Sequence, residues 1–179
     1  METVTIHDKK FRLYIPSAKI DQKVNALARE LNKDLIDKEL VFLVILNGAF
    51  MFAADLLKKV DLPCRVSFVK LASYDGTRSS GQVRELIGIN EVLKDKVVVL
   101  IEDIVDSGNT LDELLQAIRS HQPADIRVVT LLFKPDAYEY NFRIDHIGFK
   151  IPNDFVVGYG LDYDGLGRNL KDIYTVVEL

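Results

Sequence analysis

Apolar residues are distributed along the chain in two patterns, continuous runs and helical repeats. Four runs, at residues 41–46, 66–71, 97–101 and 127–133, are almost wholly apolar and rich in β-branched side chains. Such runs are typical of strands covered on both faces of a parallel sheet. Between them lie stretches with the spacing of amphipathic helices, one beginning at Ser17 and two covering residues 49–59 and 109–120. This alternation predicts an α/β fold with a mostly parallel, twisted sheet flanked by helices.

Two regions do not follow this alternation. Residues 73–82 are polar and contain glycine, with no apolar period, and we expect them to form a long exposed loop. The part after about residue 138 has short strand-like pieces at 144–149 and 155–159, and is then rich in glycine, aspartate and aromatic residues. We expect the terminal parts of the chain to build a small hood over one end of the sheet, so that residues 1–179 make a single domain.

The charge and the cysteine content narrow the classes of function. The chain has 23 lysines and arginines against 27 acidic residues, a net charge of −4, and its longest basic cluster is a pair. Proteins that bind the nucleic-acid backbone normally have a basic face, so no nucleic-acid partner is expected. The lone Cys64 excludes an intramolecular disulfide, and no apolar run is long enough for a signal peptide or a membrane span. We therefore expect a cytoplasmic protein with no membrane contact.

The polar segment after the third apolar run contains the candidate chemistry. Glu102 and Asp103 come directly after the run, Asp106 follows, and the small residues from Ser107 to Thr110 open the next helix. Ligands of parallel sheets bind at the carboxyl ends of the strands, where this segment lies. Backbone N–H groups at the start of a helix attract anions, and Gly108 lets a phosphate approach closely. The start of this helix is therefore a candidate monophosphate site.

The three acids of this segment require a different partner. Carboxylates so close in sequence repel one another unless a cation or a polyhydroxyl ligand satisfies them. Adjacent acids at a strand end suit a ribose diol or hydrated Mg²⁺, which prefers oxygen ligands. An ordinary acidic turn with Asp106 or Ser107 as a helix cap is the alternative, but it does not explain Glu102 and Asp103 beside a buried strand. Together, the acids and the phosphate site indicate a ribose 5-phosphate ligand.

The same residues carry a resemblance to a known family. An apolar run, two acids, a spacer with a third acid and then Gly-x-Thr is the signature of the type I phosphoribosyltransferases, and nearly the whole chain resembles their hypoxanthine-guanine branch. The matching segments are LNGAFMFAADL at 46–56, SYDGT at 73–77, VLIEDIVDSGNTL at 99–111, LLFKPDA at 131–137 and FKIPNDFVVGYGLDYDGLGRNL at 149–170. The resemblance implies transfer of the 5-phosphoribosyl group from phosphoribosyl pyrophosphate to hypoxanthine or guanine, giving IMP or GMP and pyrophosphate. It also implies a need for Mg²⁺ and a homodimer or homotetramer.

The resemblance assigns roles at the sugar and the phosphate. Glu102 and Asp103 would hold the ribose hydroxyls, directly or through Mg²⁺. Asp106 would be the general base beside N7 of the purine. The residues around the 5′-phosphate would be Ser107, Gly108, Asn109 and Thr110. Because family enzymes pass through a cation-like sugar as pyrophosphate leaves C1, positioning and charge stabilisation should dominate catalysis.

Further residues are assigned to the purine by the same resemblance. Lys134, just past the run at 127–133, would donate to the 6-oxo oxygen and so select oxopurines over adenine. Phe155 would stack on the base, and backbone groups of Val156 and Leu161 would meet its polar edge. Without the resemblance, an isolated lysine at a strand end is usually solvated and an aromatic residue in a short strand usually belongs to the core.

Pyrophosphate and its metal ion have their own set of residues. These are Asn47, Gly48, Ser73, Tyr74, Asp162 and Arg168. Asp162 would bind a second Mg²⁺ through water, the guanidinium of Arg168 would clamp pyrophosphate, and the loop at 73–82 would close over the site as a lid. The turn at Asn47 often contains a cis non-proline peptide in the family. Asn47 departs from the lysine that family members of the human type carry there, which removes a charge but retains the backbone donors.

Several other functions fit part of the pattern. A xanthine-preferring enzyme is the first alternative, because hypoxanthine, guanine and xanthine differ at C2, where the expected contacts are backbone carbonyls. A pyrimidine transferase fits less well. A nucleotide-sensing regulatory protein on the same fold should show a basic face or an added DNA-binding segment. A binding domain without catalysis would not need Asp106 together with Gly108 and Thr110.

Overall fold

Ten strands and three helices make up the part of the chain that the computed structural model describes, residues 2–72 and 84–177. In chain order they are β1 (Thr3–Ile6), β2 (Lys9–Ile15), α1 (Ser17–Asp34), β3 (Leu40–Ile45), α2 (Phe50–Leu57), β4 (Cys64–Ala72), β5 (Arg84–Ile87), β6 (Val97–Val105), α3 (Asn109–Ser120), β7 (Asp125–Phe133), β8 (His146–Lys150), β9 (Val156–Val157) and β10 (Ile173–Val176). The predicted lid at 73–82, with Ser73 and Tyr74, lies outside the described residues.

The central sheet has six strands in the order β5-β4-β3-β6-β7-β8. Strands β4, β3, β6, β7 and β8 are parallel, and β5 adds an antiparallel edge. All four apolar runs are strands of this sheet, and β3 is buried at every position. The predicted α/β class and the mostly parallel sheet are therefore confirmed.

Strand β6 is longer than its apolar run. The sequence placed the strand end at Ile101, but the parallel ladder continues, with Glu102 opposite Thr130 and Val105 opposite Phe133. The extension follows from β7, which supplies partners for the extra residues. Glu102 and Asp103 are thus strand residues, and the loop begins only at Asp106.

The helices cover both faces of the sheet. Helices α1 and α2 pack together on one face, through apolar residues such as Leu27 and Phe52, over β-strand side chains such as Phe42. Successive side chains of a strand point to opposite sides of the sheet, so both faces of this sheet are apolar. Helix α3 covers the second face, where it buries Leu111 and Leu114. Within the described residues, no helix is both long and apolar enough to cross a membrane.

A second, four-stranded antiparallel sheet, in the order β1-β2-β10-β9, joins the two ends of the chain. Its own small core contains Ile6, Phe11, Val157 and Tyr174. This sheet and the turns from Gly158 onward form the hood that the sequence predicted from both termini. The piece predicted as a strand at 155–159 contributes only the two residues of β9, since the chain turns at Gly158.

Candidate active site

Three neighbouring strands of the central sheet end at one edge, and the segments after them carry the candidate residues. The turn at residues 46–49 follows β3, the loop at 106–108 follows β6, and Lys134 follows β7. Because β3, β6 and β7 are adjacent and parallel, their carboxyl ends meet at the same place. This is where ligands bind in open α/β sheets.

The loop after β6 forms a phosphate cradle, by which we mean Ser107, Gly108, Asn109 and Thr110 at the start of α3. Gly108 has a left-handed conformation with φ of 95°, which favours glycine, and its carbonyl accepts the first helical bond, from Asp112. Glu102 and residues 104–111 line a cavity of about 260 Å³. The positive end of the α3 dipole and the N–H groups of its first turn would attract an anion here. The cradle therefore lies at a helix start suited to an anion, and its role as a monophosphate site stays a prediction.

Of the two acids at the end of β6, Asp103 is buried and Glu102 is half-buried, with its Oε2 atom shielded from solvent. Oε2 of Glu102 has no hydrogen-bond partner among the described residues, and Asp103 is 8% exposed. Burial raises the pKa of Glu102 well above its ordinary value, and the neighbouring carboxyl of Asp103 raises it further. Burial also raises the pKa of Asp103, although the hydrogen bond with the carboxyl of Glu102, the backbone N–H groups and the charge of Arg168 oppose the shift. Both carboxyls would be stabilised in their charged form by a cation.

The donor set fits Mg²⁺ that arrives with a substrate. Mg²⁺ usually takes one or two protein carboxylates and completes its shell with substrate oxygens and water. Glu102 supplies an unpartnered buried oxygen with Asp103 next to it. No group of three or more potential metal ligands occurs in residues 2–72 and 84–177. These residues thus suit an ion shared with a ligand, and not a closed structural site.

Lys134 and Asp106, predicted to contact the purine, are bonded to each other. The ammonium of Lys134, 7% exposed as a residue, donates to Oδ2 of Asp106 at 2.7 Å. The backbone N–H of Lys134 donates to the carbonyl of Val105 at 3.0 Å, which fixes the start of the side chain at the strand end. A cationic donor and an anionic acceptor therefore lie side by side at the edge of the cradle.

The hood residues that were predicted to contact the base differ in their exposure to solvent. Phe155 is 44% exposed, and its ring makes an edge contact with Tyr163 at 5.7 Å between centroids. Val156 and Leu161 are buried. Phe155 is thus not a core residue, which disfavours the ordinary interpretation of an aromatic residue in a short strand.

Asp162 and Arg168 were predicted to bind different partners, and they form an ion pair. Nη2 of Arg168 lies 2.6 Å from Oδ1 of Asp162, and its Nη1 donates to the carbonyl of Gly160 at 2.7 Å. The other oxygen of Asp162 accepts the N–H of Gly165 at 2.7 Å. Each charge neutralises the other in the free protein, so a ligand of either residue must share or replace this pair.

The turn after β3 has the cis peptide implied by the family resemblance, between Leu46 and Asn47. Asn47 is exposed, whereas Gly48 is buried against the carboxylate of Asp103. A Cβ on Gly48 would lie 2.5 Å from Cγ of Asp103, far inside van der Waals contact. The turn and the acids at the end of β6 are therefore in direct contact.

Four other residues hold the site together, and the sequence did not indicate them. Tyr159 donates its hydroxyl to Asp55 of α2 at 2.6 Å, which ties the hood to the helix that follows the turn at Gly48. Tyr138 and Tyr140 pack behind Gly108 of the cradle. The sequence does show two tyrosines close together in YEYNF and a glycine on each side of Tyr159. Neither feature has the spacing of a known motif, so the contacts of these tyrosines are visible only in the structure.

Glu102→Gln should stabilise the metal-free protein at neutral pH. Because the folded-state pKa of Glu102 is raised, its contribution to stability is present below the unfolded pKa and lost as the pH rises through the folded pKa. The neutral amide removes this loss and should raise Tm by about 2–4 °C for each kcal/mol relieved. The difference from the wild type should disappear in acid, where Glu102 is protonated in both states.

Thermal unfolding between pH 4 and 8 without divalent metal measures this difference. Glu113→Gln, on the exposed side of α3, is the matched control and should leave Tm within about 1 °C at every pH. A Glu102→Gln protein that is no more stable than the wild type at pH 8 would contradict the expected destabilisation by the buried charge.

Comparisons with known proteins agree with the observed fold. The model of the phosphoribosyl transferase domain matches residues 16–164. The hypoxanthine-guanine phosphoribosyltransferase of Mycobacterium avium is 39% identical over 169 residues, which cover 90% of this chain and 83% of that protein. The hypoxanthine phosphoribosyltransferase of Salmonella typhimurium is 37% identical over 92% of this chain and 94% of its own length.

A solved structure extends the agreement from sequence to fold. The crystal structure of a hypoxanthine phosphoribosyltransferase from Staphylococcus aureus superposes with a TM-score of 0.87 at 36% identity, covering 93% of this chain and 91% of that one. The residues that the family model matches include the carboxyl ends of β3, β6 and β7. The chain therefore belongs to the phosphoribosyltransferase family, within its hypoxanthine-guanine branch.

Proposed function

We propose that the enzyme transfers the 5-phosphoribosyl group of phosphoribosyl pyrophosphate to hypoxanthine or guanine, forming IMP or GMP and releasing pyrophosphate. The observation that supports this most is the 2.7 Å pair of Lys134 and Asp106 beside the phosphate cradle. The names of the relatives from M. avium and S. typhimurium point to the same reaction.

The pair of Lys134 and Asp106 is complementary to one edge of a 6-oxopurine. Along that edge an acceptor, the 6-oxo oxygen, lies next to N7, which carries the proton in the N7–H tautomer. Lys134 offers donors and Asp106 an acceptor, side by side. Adenine would instead place a 6-amino donor against the ammonium, so that an N–H donor of the buried Lys134 would face another donor where hypoxanthine offers an acceptor, which is costly.

The bond changes follow from this orientation. N9 of the base forms a bond to C1 of the sugar as the bond from C1 to pyrophosphate breaks, and the N7 proton passes to Asp106. Glu102 and Asp103 face the cationic sugar and accept hydrogen bonds from its hydroxyls. The cradle and the α3 dipole hold the 5′-phosphate, so that C1 is fixed between the leaving group and the base.

Mg²⁺ would be held by Glu102 and Asp103, and a second ion by Asp162 through water. When bound, the ion supplies positive charge that stabilises the departing pyrophosphate. Asn47, Gly48, Ser73, Tyr74 and Arg168 are proposed as the protein contacts of pyrophosphate. The guanidinium of Arg168 now contacts Asp162 and the carbonyl of Gly160, so these contacts would be replaced when Arg168 binds pyrophosphate.

The base would lie between the Lys134 pair and the hood. Phe155 presents an exposed ring for stacking, and the backbones of Val156 and Leu161 would contact its polar edge. A homodimer or homotetramer in the cytoplasm, folded as one domain, completes the proposal. Light scattering on the purified protein measures the oligomeric state.

The direct test is pyrophosphate release from phosphoribosyl pyrophosphate and Mg²⁺ with each purine in turn. We expect turnover with hypoxanthine and guanine, and at least about 100-fold lower kcat/KM with adenine, because the ammonium of Lys134 rejects the amino group. Omission of Mg²⁺ should abolish turnover.

Three outcomes discriminate the alternatives to this activity. Absence of turnover with hypoxanthine, guanine and xanthine would reject the proposed function. Preference for xanthine would identify the enzyme as a xanthine-preferring phosphoribosyltransferase, the first alternative. Turnover with a pyrimidine alone would remove Lys134 and Asp106 from base recognition. The relatives favour neither alternative.

A further inference from the structure

The phosphate cradle is backed by a tyrosine-rich segment, residues 138–142, which we call the backing segment. Two hydrogen bonds join the backing segment to the cradle. The N–H of Glu139 donates to the carbonyl of Ser107 at 3.0 Å, and the hydroxyl of Tyr140 donates to Oδ1 of Asn109 at 2.8 Å. The backing segment therefore contacts the outer side of the loop that lines the cavity.

Gly108 lies directly against the two tyrosine rings. A Cβ on Gly108 would lie 2.6 Å from Cε2 of Tyr138 and 2.9 Å from Cδ2 of Tyr140. The left-handed φ of Gly108 turns its backbone into this contact. Gly108 can therefore pack against the two rings because it has no side chain and can adopt this backbone conformation.

The backing segment is itself fixed to the fold. The hydroxyl of Tyr138 donates to the carbonyl of Phe142 at 2.9 Å, which closes a short turn. The ring of Tyr138 makes edge contacts with Phe133 of β7 at 5.3 Å and with Phe142 at 5.5 Å. Burial raises the pKa of Tyr138 to about 12, so the phenol stays a hydrogen-bond donor at physiological pH. The cradle is supported by β7 as well as by its own helix.

The bond from Tyr140 determines which group Asn109 can offer a ligand. An exposed amide can present either its oxygen or its NH₂ group. A phosphate has only acceptors to offer, so the amide oxygen would repel it. With Oδ1 occupied by the hydroxyl of Tyr140, the NH₂ group is left for the cavity, which Asn109 lines.

We infer that Tyr140 is a positioning residue that orients the amide of Asn109 toward a 5′-phosphate, on a platform formed with the ring of Tyr138. This inference rests on the proposed function, since it requires a phosphate ester in the cradle. The ring of Tyr140 supports Gly108, whereas its hydroxyl acts through Asn109. Its effect is therefore specific for ligands that carry the phosphate.

Tyr140→Phe tests this role because it removes the hydroxyl and retains the ring against Gly108. Calorimetric Kd values are measured for IMP and for inosine, which lacks the phosphate. We expect Kd for IMP to rise about 3–10-fold and Kd for inosine to stay within about 1.5-fold, as befits the loss of one hydrogen bond. KM for phosphoribosyl pyrophosphate should rise by a similar factor, with KM for the base unchanged. Tyr174→Phe, which removes a buried hydroxyl in the four-stranded sheet, is the matched control.

Asn109→Ala provides the second half of a double-mutant cycle. If Tyr140 acts through Asn109, Tyr140→Phe adds less than about 1.5-fold to Kd for IMP in the Asn109→Ala background. An equal loss for IMP and inosine, or full additivity of the two substitutions, would overturn the inference. A wild-type protein that binds IMP no more tightly than inosine would reject the phosphate cradle itself, and with it the proposed function. Wild-type discrimination without an effect of Tyr140→Phe would reject only the inference.

Discussion

Asp106→Asn should lower kcat by about 10²–10⁴-fold, the usual contribution of a positioned general base. The amide oxygen of asparagine still accepts the hydrogen bond that Lys134 now donates at 2.7 Å, so the geometry of the pair is retained. What the amide lacks is basicity toward the N7 proton. The Kd of IMP should change by less than about 10-fold, because the product carries no N7 proton for Asp106 to accept. Single-turnover kinetics and calorimetry measure the two quantities separately.

The control for this substitution is Asp136→Asn, which removes the same charge two residues beyond Lys134 from an exposed side chain. It should leave kcat within about 2-fold. Unchanged turnover in Asp106→Asn would remove Asp106 from the role of base. Equal losses of turnover and of IMP binding would assign Asp106 to nucleotide binding instead. Thermal unfolding shows whether the protein has been destabilised because the buried Lys134 has lost its charged partner.

The fold class could be predicted because the apolar pattern is determined by burial. Residues 41–46 are apolar since β3 is covered on both faces, and the pattern at 109–120 predicts α3 with the same bounds that the structure gives it. The end of β6 could not be predicted from its own residues. Glu102 and Asp103 pair in the ladder only because β7 runs alongside them, and local polarity gave the opposite indication.

The candidate site could be predicted in its parts but not in its pairings. The sequence pattern indicated the cradle and the acids, and the resemblance added Lys134, Asp162 and Arg168. That Lys134 pairs with Asp106 depends on the parallel pairing of β6 with β7, and that Arg168 pairs with Asp162 depends on the turns of the hood between them. Contacts made by ordinary aromatic residues, such as Tyr140, have no recognisable sequence spacing. The roles of these residues stay predictions until the substitutions are measured.

Gly48→Ala should lower kcat/KM by about 10²-fold or more, although it changes no polar group. Gly48 is buried, and a Cβ there would lie 2.5 Å from Cγ of Asp103 and 3.0 Å from its Oδ1. The position is not among the described glycines with positive φ, so the cost arises from space and not from backbone conformation. The methyl group must displace either the turn or the carboxylate, and misplacement by about 1 Å near reacting groups costs about 10²-fold in rate. Overpacking should also cost about 1–3 kcal/mol of stability.

A double-mutant cycle separates the steric contact from a general folding defect. Asp103→Ala removes the carboxylate that the new methyl group meets, so Gly48→Ala should cost clearly less stability in that background than in the wild type. Activity should not return in the double variant, because the acid proposed for the ribose hydroxyls and Mg²⁺ is absent. Gly165→Ala, where no atom beyond the neighbouring residues of the chain lies within 4 Å of the added Cβ, is the control for the substitution itself, and its left-handed φ of 80° should cost stability without the loss of rate. Additive stability losses for Gly48 and Asp103 would show that the turn and the acid are independent. The coupling expected instead means that the turn at Gly48 and the acid at Asp103 form one rigid unit, in which the missing side chain of Gly48 is as necessary as the carboxylate it faces.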